Sequence, residues 1–508
     1  MGDEPVKISI GLVKNDSVED YETNTYTKRI EEMANVDLEF VLFPSVETQT
    51  KFSAMLAARE PFPEIIDRDL SGSLYQFIDA GVLLPLDDYY ENLTYYMRPF
   101  LDDPENASVM PYLYSPNGHI YSIPFINKVI GNEWSSRAWI NQEWLDKLGL
   151  PIPATTEEYL STLRAFRDND MNGNGDTTDE YPLIGSTNGW NNLPYNFLMG
   201  SFIFPNVNTD YMLFDEDGKL DIAINKPEWK AGLQYMNQLV SEGLLSPLTF
   251  TQDQTALRVL LKDESHPIGS MVAASMSIYQ ESDNKKAMVP MAPLSGPEGV
   301  AYTTPYIVLP NAARWYVTSY AQNPELCFRI GDMMWEPQLS VESRFGKQGE
   351  DWDLAEESTT EKSLYWNMGI PPYIVRHIDL WTVSLQNHHW GDLGPAWRPY
   401  ERSDPSLVWN GDEYDYLYTT ALAVAGVYQK TPEKYPLPII LSEEENDIAA
   451  DIKVTVNGLR DEWRAGLVTG TYSFDDWDIY VQELENAGLA EWMEISQTAY
   501  DRMQTLID

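Results

Sequence analysis

Residues 168–183, DNDMNGNGDTTDEYPL, hold five carboxylates, three amide side chains and two glycines. A loop so dense in negative charge repels itself unless something positive sits within it. Asp170, Asn172, Asn174 and Asp176 put an oxygen-bearing side chain at every second position, with Gly173 and Gly175 between them. In a D-x-N-x-N-G loop, side chains 1, 3 and 5 and the carbonyl of residue 7 wrap one Ca²⁺ centre, and the glycine at 6 permits the sharp turn. Calcium needs about six to eight oxygens, and a donor set without His or Cys argues for it over zinc or copper. An EF-hand closes with a carboxylate at position 12. Here Asp179 and Glu180 arrive at positions 10 and 11, so the second half is shorter. The plain alternative is a metal-free turn, since Asp, Asn and Gly are ordinary turn formers. The loop follows a helix and precedes YPL, so an ion here would pin a chain reversal and serve structure.

Aromatic side chains carry a second chemistry. Sugars present flat C–H faces to rings and hydroxyls to Asp, Asn, Gln and Arg, so a sugar site needs aromatic platforms ringed by polar groups. The chain has sixteen Trp and thirty-one Tyr. Trp390 and Trp397 fall in WTVSLQNHHWGDLGPAWRPYERSDPSLVW, among Gly, Pro and polar residues. Trp190 stands beside Asn191 in NGWNNLPY, Trp366 lies in SLYWNMGIPP and Trp134 in GNEWSSR. The competing fate of each is burial in a core. His388 and His389 are adjacent, so they diverge on any regular element and make a poor metal or catalytic pair. Seventy-nine acidic residues guarantee carboxylate pairs at hydrolytic distance, so such pairs carry little weight for a glycosidase. No G-x-S-x-G, H-E-x-x-H, Walker or Rossmann glycine pattern occurs.

The elements that must position these groups are those of a large α/β protein. With 508 residues, 43% apolar, the chain exceeds what one core usually serves. A formal charge of −45 repels phosphate backbones and anionic membranes, which argues against nucleic acid and lipid surfaces as partners. The single Cys327 excludes an intrachain disulfide and reads as a buried thiol. VKISIGLV and VDLEFVLF alternate as strands around a helical stretch, a βαβ unit that begins a parallel sheet, and EIID adds a third strand. Thr155 with Glu158, and Ser442 with Glu445, have capping-box spacing, and the latter opens a stripe of Ile448, Ile452, Val456, Leu459 and Trp463. Ligands in open α/β sheets lie beyond the strand carboxyl ends, which nominates Lys14 and Asn15 after the first strand and Arg68 and Asp69 after the third.

FPEIIDRDLSGSLYQFIDAGVLLPLDDYYEN, NGHIYSIPF, INQEWLDKLGLPIPATTEEYLSTLRAFRDND with its loop, and the closing WRAGLVTGTYSFDDWDIYVQELENAGLAEWMEISQTAYDRM resemble the extracellular solute-binding proteins (family 1) of bacterial ABC transporters. The similarity is greatest to the calcium-containing branch that includes alginate-oligosaccharide binders. The resemblance implies a type II periplasmic-binding-protein-like fold, helix-rich α/β, with a ligand cleft between two lobes. It assigns 1–128 and 308–365 to an N-terminal lobe, and 129–307 and 366–508 to a C-terminal lobe holding the calcium loop. The calcium ligands it carries over are Asp170, Asn172, Asn174, Asp176 through its carbonyl, Asp179 and Glu180. Trp134 and Tyr306 then lie near the two crossings between lobes. The implied function is capture of an oligosaccharide by lobe closure and delivery to a membrane permease, by a monomer that is not an enzyme. A peptide or other small solute, or a glycan hydrolase or lyase, are the alternatives. The opening MGDEPVKISI reads as an added start in place of a removed export segment, and the resemblance implies a lipoprotein at the cell surface.

Overall fold

Alternating apolar residues and well-placed caps set the first elements of the chain. In the computed structural model, which describes residues 4–44, 47–70, 73–128, 134–279, 282–305, 307, 309, 313–354, 373–375, 385–391, 393–399 and 430–505, β1 (Val6–Val13) buries Ile8, Ile10 and Leu12. The Asn24 side chain caps α1 (Thr25–Ala34) by accepting the Tyr26 N–H, and the helix ends on Asn35 in the left-handed region (φ 53°). β2 (Val36–Phe43) pairs in parallel with β1, Val6 opposite Val36 and Val13 opposite Phe43. β3 (Ile65–Asp67) pairs on the other side of β1, with Leu12 opposite Asp67, and β4 (Ser122–Asn127) lies further along the sheet.

β5 (Ala138–Asn141) opens a second sheet, followed by α2 (Thr156–Arg167) and α3 (Pro227–Ser241). There β5 lies between β6 (Ser270–Val272) and β7 (Met288–Met291), antiparallel to both. β8 (Ala313–Val317) returns to the first sheet, and α4 (Pro324–Met333), α5 (Pro337–Phe345) and β9 (Ala396–Arg398) follow. The last elements are α6 (Glu443–Thr469), α7 (Trp477–Asn486) and α8 (Leu489–Gln504). No helix among the described residues is long and apolar enough to cross a membrane.

The chain divides into two compact units: 1–129, 308–408 and 502–508 form one, and 130–307 and 409–501 the other. The first unit has the sheet order β9-β4-β8-β3-β1-β2. The expected parallel sheet is mixed, because β8 runs antiparallel to both β3 and β4. Residues 366–508 were expected in the second lobe, yet β9 pairs in parallel with β4, Ala396 opposite Phe125, which places the 385–399 stretch in the first unit. Trp390 explains why. It is fully buried, edge-on to Tyr26 (5.4 Å, 87°) and Phe40 (5.4 Å, 89°), and its Nε1 donates to Thr27 Oγ1 at 2.7 Å. Cys327 is buried in the same core, and burial pushes its thiol up to about 12.

In the second unit both expected capping boxes form, at Thr155–Glu158 and Ser442–Glu445. Arg164 on α2 makes two hydrogen bonds of 2.6 Å to Glu242, just past α3, and holds that carboxyl down at about 2. The stripe on α6 is rotated at its start: Ala449 is buried and Ile448 exposed, while Val456 and Trp463 pack inward as expected. Because Trp390 fills a core and Trp190 lies 48% exposed, their truncations should differ sharply. Trp390→Ala should cost about 3–5 kcal/mol in denaturant unfolding, and Trp190→Ala no more than about 0.5 kcal/mol. Equal losses would contradict this placement.

Candidate functional site

In the first unit, pairing of Leu12 with Asp67 brings the residues that follow β1 and β3 to the same end of the sheet. Lys14 is exposed and ion-paired to Asp16 at 3.4 Å. The Asn15 Oδ1 accepts from Ser17 N (2.9 Å) and Ser17 Oγ (2.8 Å), so the turn out of β1 is fixed by its own side chain. Its amide nitrogen lies against Gly391 (φ +68°), where a Cβ would overlap it. Arg68 is half-buried: its N–H donates to the Arg314 carbonyl at 2.9 Å and its guanidinium lies 5.5 Å from the Phe52 ring. Arg68 Nη1 is buried without a hydrogen-bond partner among the described residues. Asp69 is exposed.

Asp67, which the sequence reading counted only as the end of a strand, is the chemically unusual residue here. It is buried; Oδ2 accepts the Gly394 N–H at 2.9 Å, and Oδ1 has no hydrogen-bond partner among the described residues. Burial pushes its carboxyl up to about 7, against the opposing pull of Arg314. Two of the nominated tryptophans change role. Trp390 has no face to offer a ligand, being enclosed in the core. Trp397 is half-buried on β9, packed against Phe100 (5.6 Å) and Trp335 (6.0 Å).

The second unit brings Trp134, Trp190 and Asn191 together. Asn191, in the left-handed region (φ 55°), donates through Nδ2 to Ser135 Oγ at 2.8 Å, beside Trp134. The Trp190 carbonyl accepts the Ala274 N–H at 3.1 Å. The Ala274 carbonyl in turn accepts from the guanidinium of Arg137, which is fully buried. Trp190 therefore presents its ring to solvent from a backbone fastened at adjacent residues. Trp134 is half-buried with its Nε1 enclosed and unpartnered. Arg137, the residue that secures this arrangement, was missed in the sequence because WSSRAWIN reads as an ordinary strand approach. Tyr306 and Trp366 lie outside the described residues.

The 170–180 loop folds around its own carboxylates. Asp170 accepts the N–H groups of Gly173 (2.6 Å) and Gly175 (2.8 Å), and these bonds hold its carboxyl below the usual range. Asn172 and Asn174 donate through Nδ2 to Asp179 Oδ2 at 3.2 and 2.6 Å. Asp176 turns its side chain onto Thr178, leaving its carbonyl as the donor it could offer an ion. Glu180 Oε1 accepts Met171 N–H at 2.8 Å, while Glu180 Oε2 and Asp179 Oδ1 are buried with no partner. Lys147 Nζ donates to the Asp170 carbonyl at 2.7 Å. No group of three or more His, Cys, Asp or Glu side chains is gathered at metal-holding distance among the described residues. The two orphaned carboxylate oxygens nevertheless fit a cation, while the Oδ1 atoms of Asn172 and Asn174 accept the N–H groups of Asn174 and Asp176 at 3.0 and 2.7 Å.

Residues 25–342 match the family model described as bacterial extracellular solute-binding protein. The chain is 26% identical over 457 residues to the fructooligosaccharide ABC transporter substrate-binding protein FusA of Streptococcus pneumoniae serotype 4, covering 87% of this chain and 80% of that protein. Among solved structures, FusA in complex with kestose superposes with a TM-score of 0.75 at 22% identity, over 98% of this chain and 99% of that one. An EF-hand mutant of FusA in complex with fructo-nystose gives 0.74 at 21%, with the same coverage. An extracellular solute-binding protein from Bifidobacterium longum subsp. infantis gives 0.80 at 20% identity, over 99% of each chain. At these identities the structures establish the fold, helix-rich α/β in two lobes.

The Asp67 carboxyl generates a pH dependence. Its folded value of about 7 exceeds the ordinary value of about 3.9. The folded state keeps this proton where the unfolded chain has lost it. Its contribution to stability is therefore complete below about pH 4 and lost as pH rises through about 7. Asp67→Asn keeps an acceptor for Gly394 and removes the titration, so its denaturation midpoint should fall less than wild type's between about pH 4 and about pH 8. Parallel profiles would show that Asp67 does not titrate in this range.

Proposed function

We propose that this chain, which belongs to the bacterial extracellular solute-binding protein family, is the substrate-binding component of an ABC importer that captures an oligosaccharide and passes it unaltered to a membrane permease. The family binds solutes and does no chemistry on them, so the chain is not an enzyme. The observation that carries the carbohydrate reading is Trp190: a tryptophan 48% exposed on a backbone held by Ala274 N–H and Asn191–Ser135. Such a ring offers a C–H face a platform that loses little freedom on binding. Trp134 and Asn191 beside it, and Lys14, Asn15, Arg68, Asp69 and Trp397 on the first unit, are the further residues proposed to reach the ligand. FusA, the relative described above, is a fructooligosaccharide binder, which supports the same ligand class here. Capture by closure requires one ligand to touch both lobes, because only differential affinity for the closed form can shift the equilibrium.

The 170–180 loop is proposed to hold a structural Ca²⁺ through Asp170, Asn172, Asn174, the Asp176 carbonyl, Asp179 and Glu180. Its role would be to neutralise the loop's carboxylates and fix the reversal after α2. The existence of an EF-hand mutant of FusA supports a calcium loop in this family branch. Attachment to the outer face of the membrane as a lipoprotein, and action as a monomer, complete the reading.

Two measurements test it. Calorimetric titration with kestose, nystose, milk oligosaccharides and pectic oligosaccharides should find at least one ligand that is recovered uncleaved. Trp190→Ala should weaken that ligand about tenfold, or about 1.4 kcal/mol. A panel that leaves the melting temperature unmoved throughout would count against the carbohydrate reading. Separately, EDTA should lower the melting temperature of the sugar-free protein. An ion at about 100 times its Kd contributes about 2.7 kcal/mol. The double variant Asp179→Asn, Glu180→Gln should be indifferent to chelator, and a wild type equally indifferent would remove the ion.

A further inference from the structure

The first unit contains a cavity of about 380 Å³ between α1, α5 and the turn at 346–348. Neither the β1 and β3 strand-end residues nor any proposed ligand residue lines it. Its wall mixes apolar surface, from Tyr26 and the stems of the long side chains, with polar groups, of which Arg29, Gln338, Glu342, Lys347, Gln348 and His388 are the ones that matter. Arg29 is the unusual one. Glu32 and Glu342 approach its guanidinium only at 3.9 and 3.8 Å, and it makes no hydrogen bond among the described residues. A guanidinium carries five donors in a fork that matches a carboxylate. Its pairing with Glu32 is exposed, the kind of surface pair worth little and easily exchanged.

Glu342 lies deeper, its side chain 5% exposed, with Oε1 accepting from Gln338 Nε2 at 2.8 Å. Burial raises its carboxyl above the ordinary range. The cavity therefore sets an open cationic fork at its mouth and a fixed acceptor–amide pair below. It is within the size range of small-molecule sites. Among the described residues it has no exposed aromatic platform, so a ligand would be held by hydrogen bonds along its edge. The protein's overall negative charge acts weakly at this range, because physiological salt screens beyond about 8 Å.

We propose that this cavity is a second solute site, separate from the oligosaccharide site, taking a small hydroxylated carboxylate of hexuronate size. The carboxylate would sit on the Arg29 fork, and hydroxyls would meet Glu342, Gln338 and Gln348. The site also has a physical route to the strand-end cluster: His388 belongs to the same short segment whose Gly391 meets Asn15 and whose Gly394 meets Asp67.

The test is calorimetric titration of the full chain with D-galacturonate, D-galactose and acetate. Galacturonate should bind with one-to-one stoichiometry, with the neutral sugar and the bare carboxylate each weaker by about tenfold or more. Arg29→Ala and Arg29→Lys should each weaken galacturonate by about tenfold, since an ammonium cannot replace the fork. Trp190→Ala should leave it unchanged. Galacturonate binding no tighter than galactose, or unaffected by both Arg29 variants, overturns the proposal. Loss on Trp190→Ala with Arg29→Ala intact overturns it too, by assigning the heat to the aromatic site. Retained oligosaccharide binding by Arg29→Ala shows the variant folded and leaves the importer reading untouched.

Discussion

A segment from late in the chain is built into a sheet made early in it, and the order of the first unit depends on that insertion. β9 adds to β4 at the sheet's edge, and Trp390 fills the core between Tyr26 and Phe40. Between them Gly391 meets Asn15 and Gly394 donates to Asp67. Gln386 and Asn387 bond the same segment to the backbone around Val18 and Thr25. Hydrophobic burial supplies most of the attachment, and the polar contacts choose the register. Asp67 illustrates the compromise. A buried carboxyl with one oxygen unpartnered among the described residues is costly, yet it accepts the Gly394 N–H and so ties the returning chain to β3.

Charge works on two scales in this molecule. The net −45 acts as a diffuse field that salt largely screens, whereas individual sites answer to neighbours a few ångströms away. In the 170–180 loop Lys147 supplies one positive charge to a carbonyl at the entrance. Backbone N–H groups and asparagine amides satisfy some of the carboxylate oxygens, and Asp179 and Glu180 each keep one without a partner among the described residues. A loop that needed only to turn would have no use for buried, unpaired carboxylate oxygens. The proposed divalent ion would give them one.

The strands at 6–13 and 36–43 and both capping boxes were legible because each is local: alternation, and a hydroxyl three residues before a glutamate. The fate of Trp390 was not. Its neighbours in sequence are Gly, His and Asp, which read as a loop, and the core that claims it is built from residues 26–40. The direction of β8 and the placing of β9 escaped for the same reason, being settled by partners far along the chain. Among the candidate residues, the neighbourhood of Trp134, Trp190 and Asn191 was nominated through composition, whereas Arg137 and Asp67 were hidden because burial gives a charged residue its significance and no local pattern reports burial.

The two candidate ligand chemistries divide the work between those scales. Stacking on Trp190 depends on ring area and rigidity, and it is indifferent to the surrounding acidic field. That suits a neutral sugar chain approaching a strongly anionic protein. An anionic ligand needs a local cation strong enough to act inside the screening distance, with donors not already spent. Arg164 cannot serve, because both its forks of hydrogen bonding go to Glu242. Arg398 cannot, because it is buried over the Phe125 ring. Arg29 can, since its nearest carboxylates stand at 3.8 and 3.9 Å and leave its donors uncommitted. In a chain with more than twice as many acids as bases, an arginine beside a cavity with no hydrogen bond among the described residues is a position at which selectivity for charge could be built.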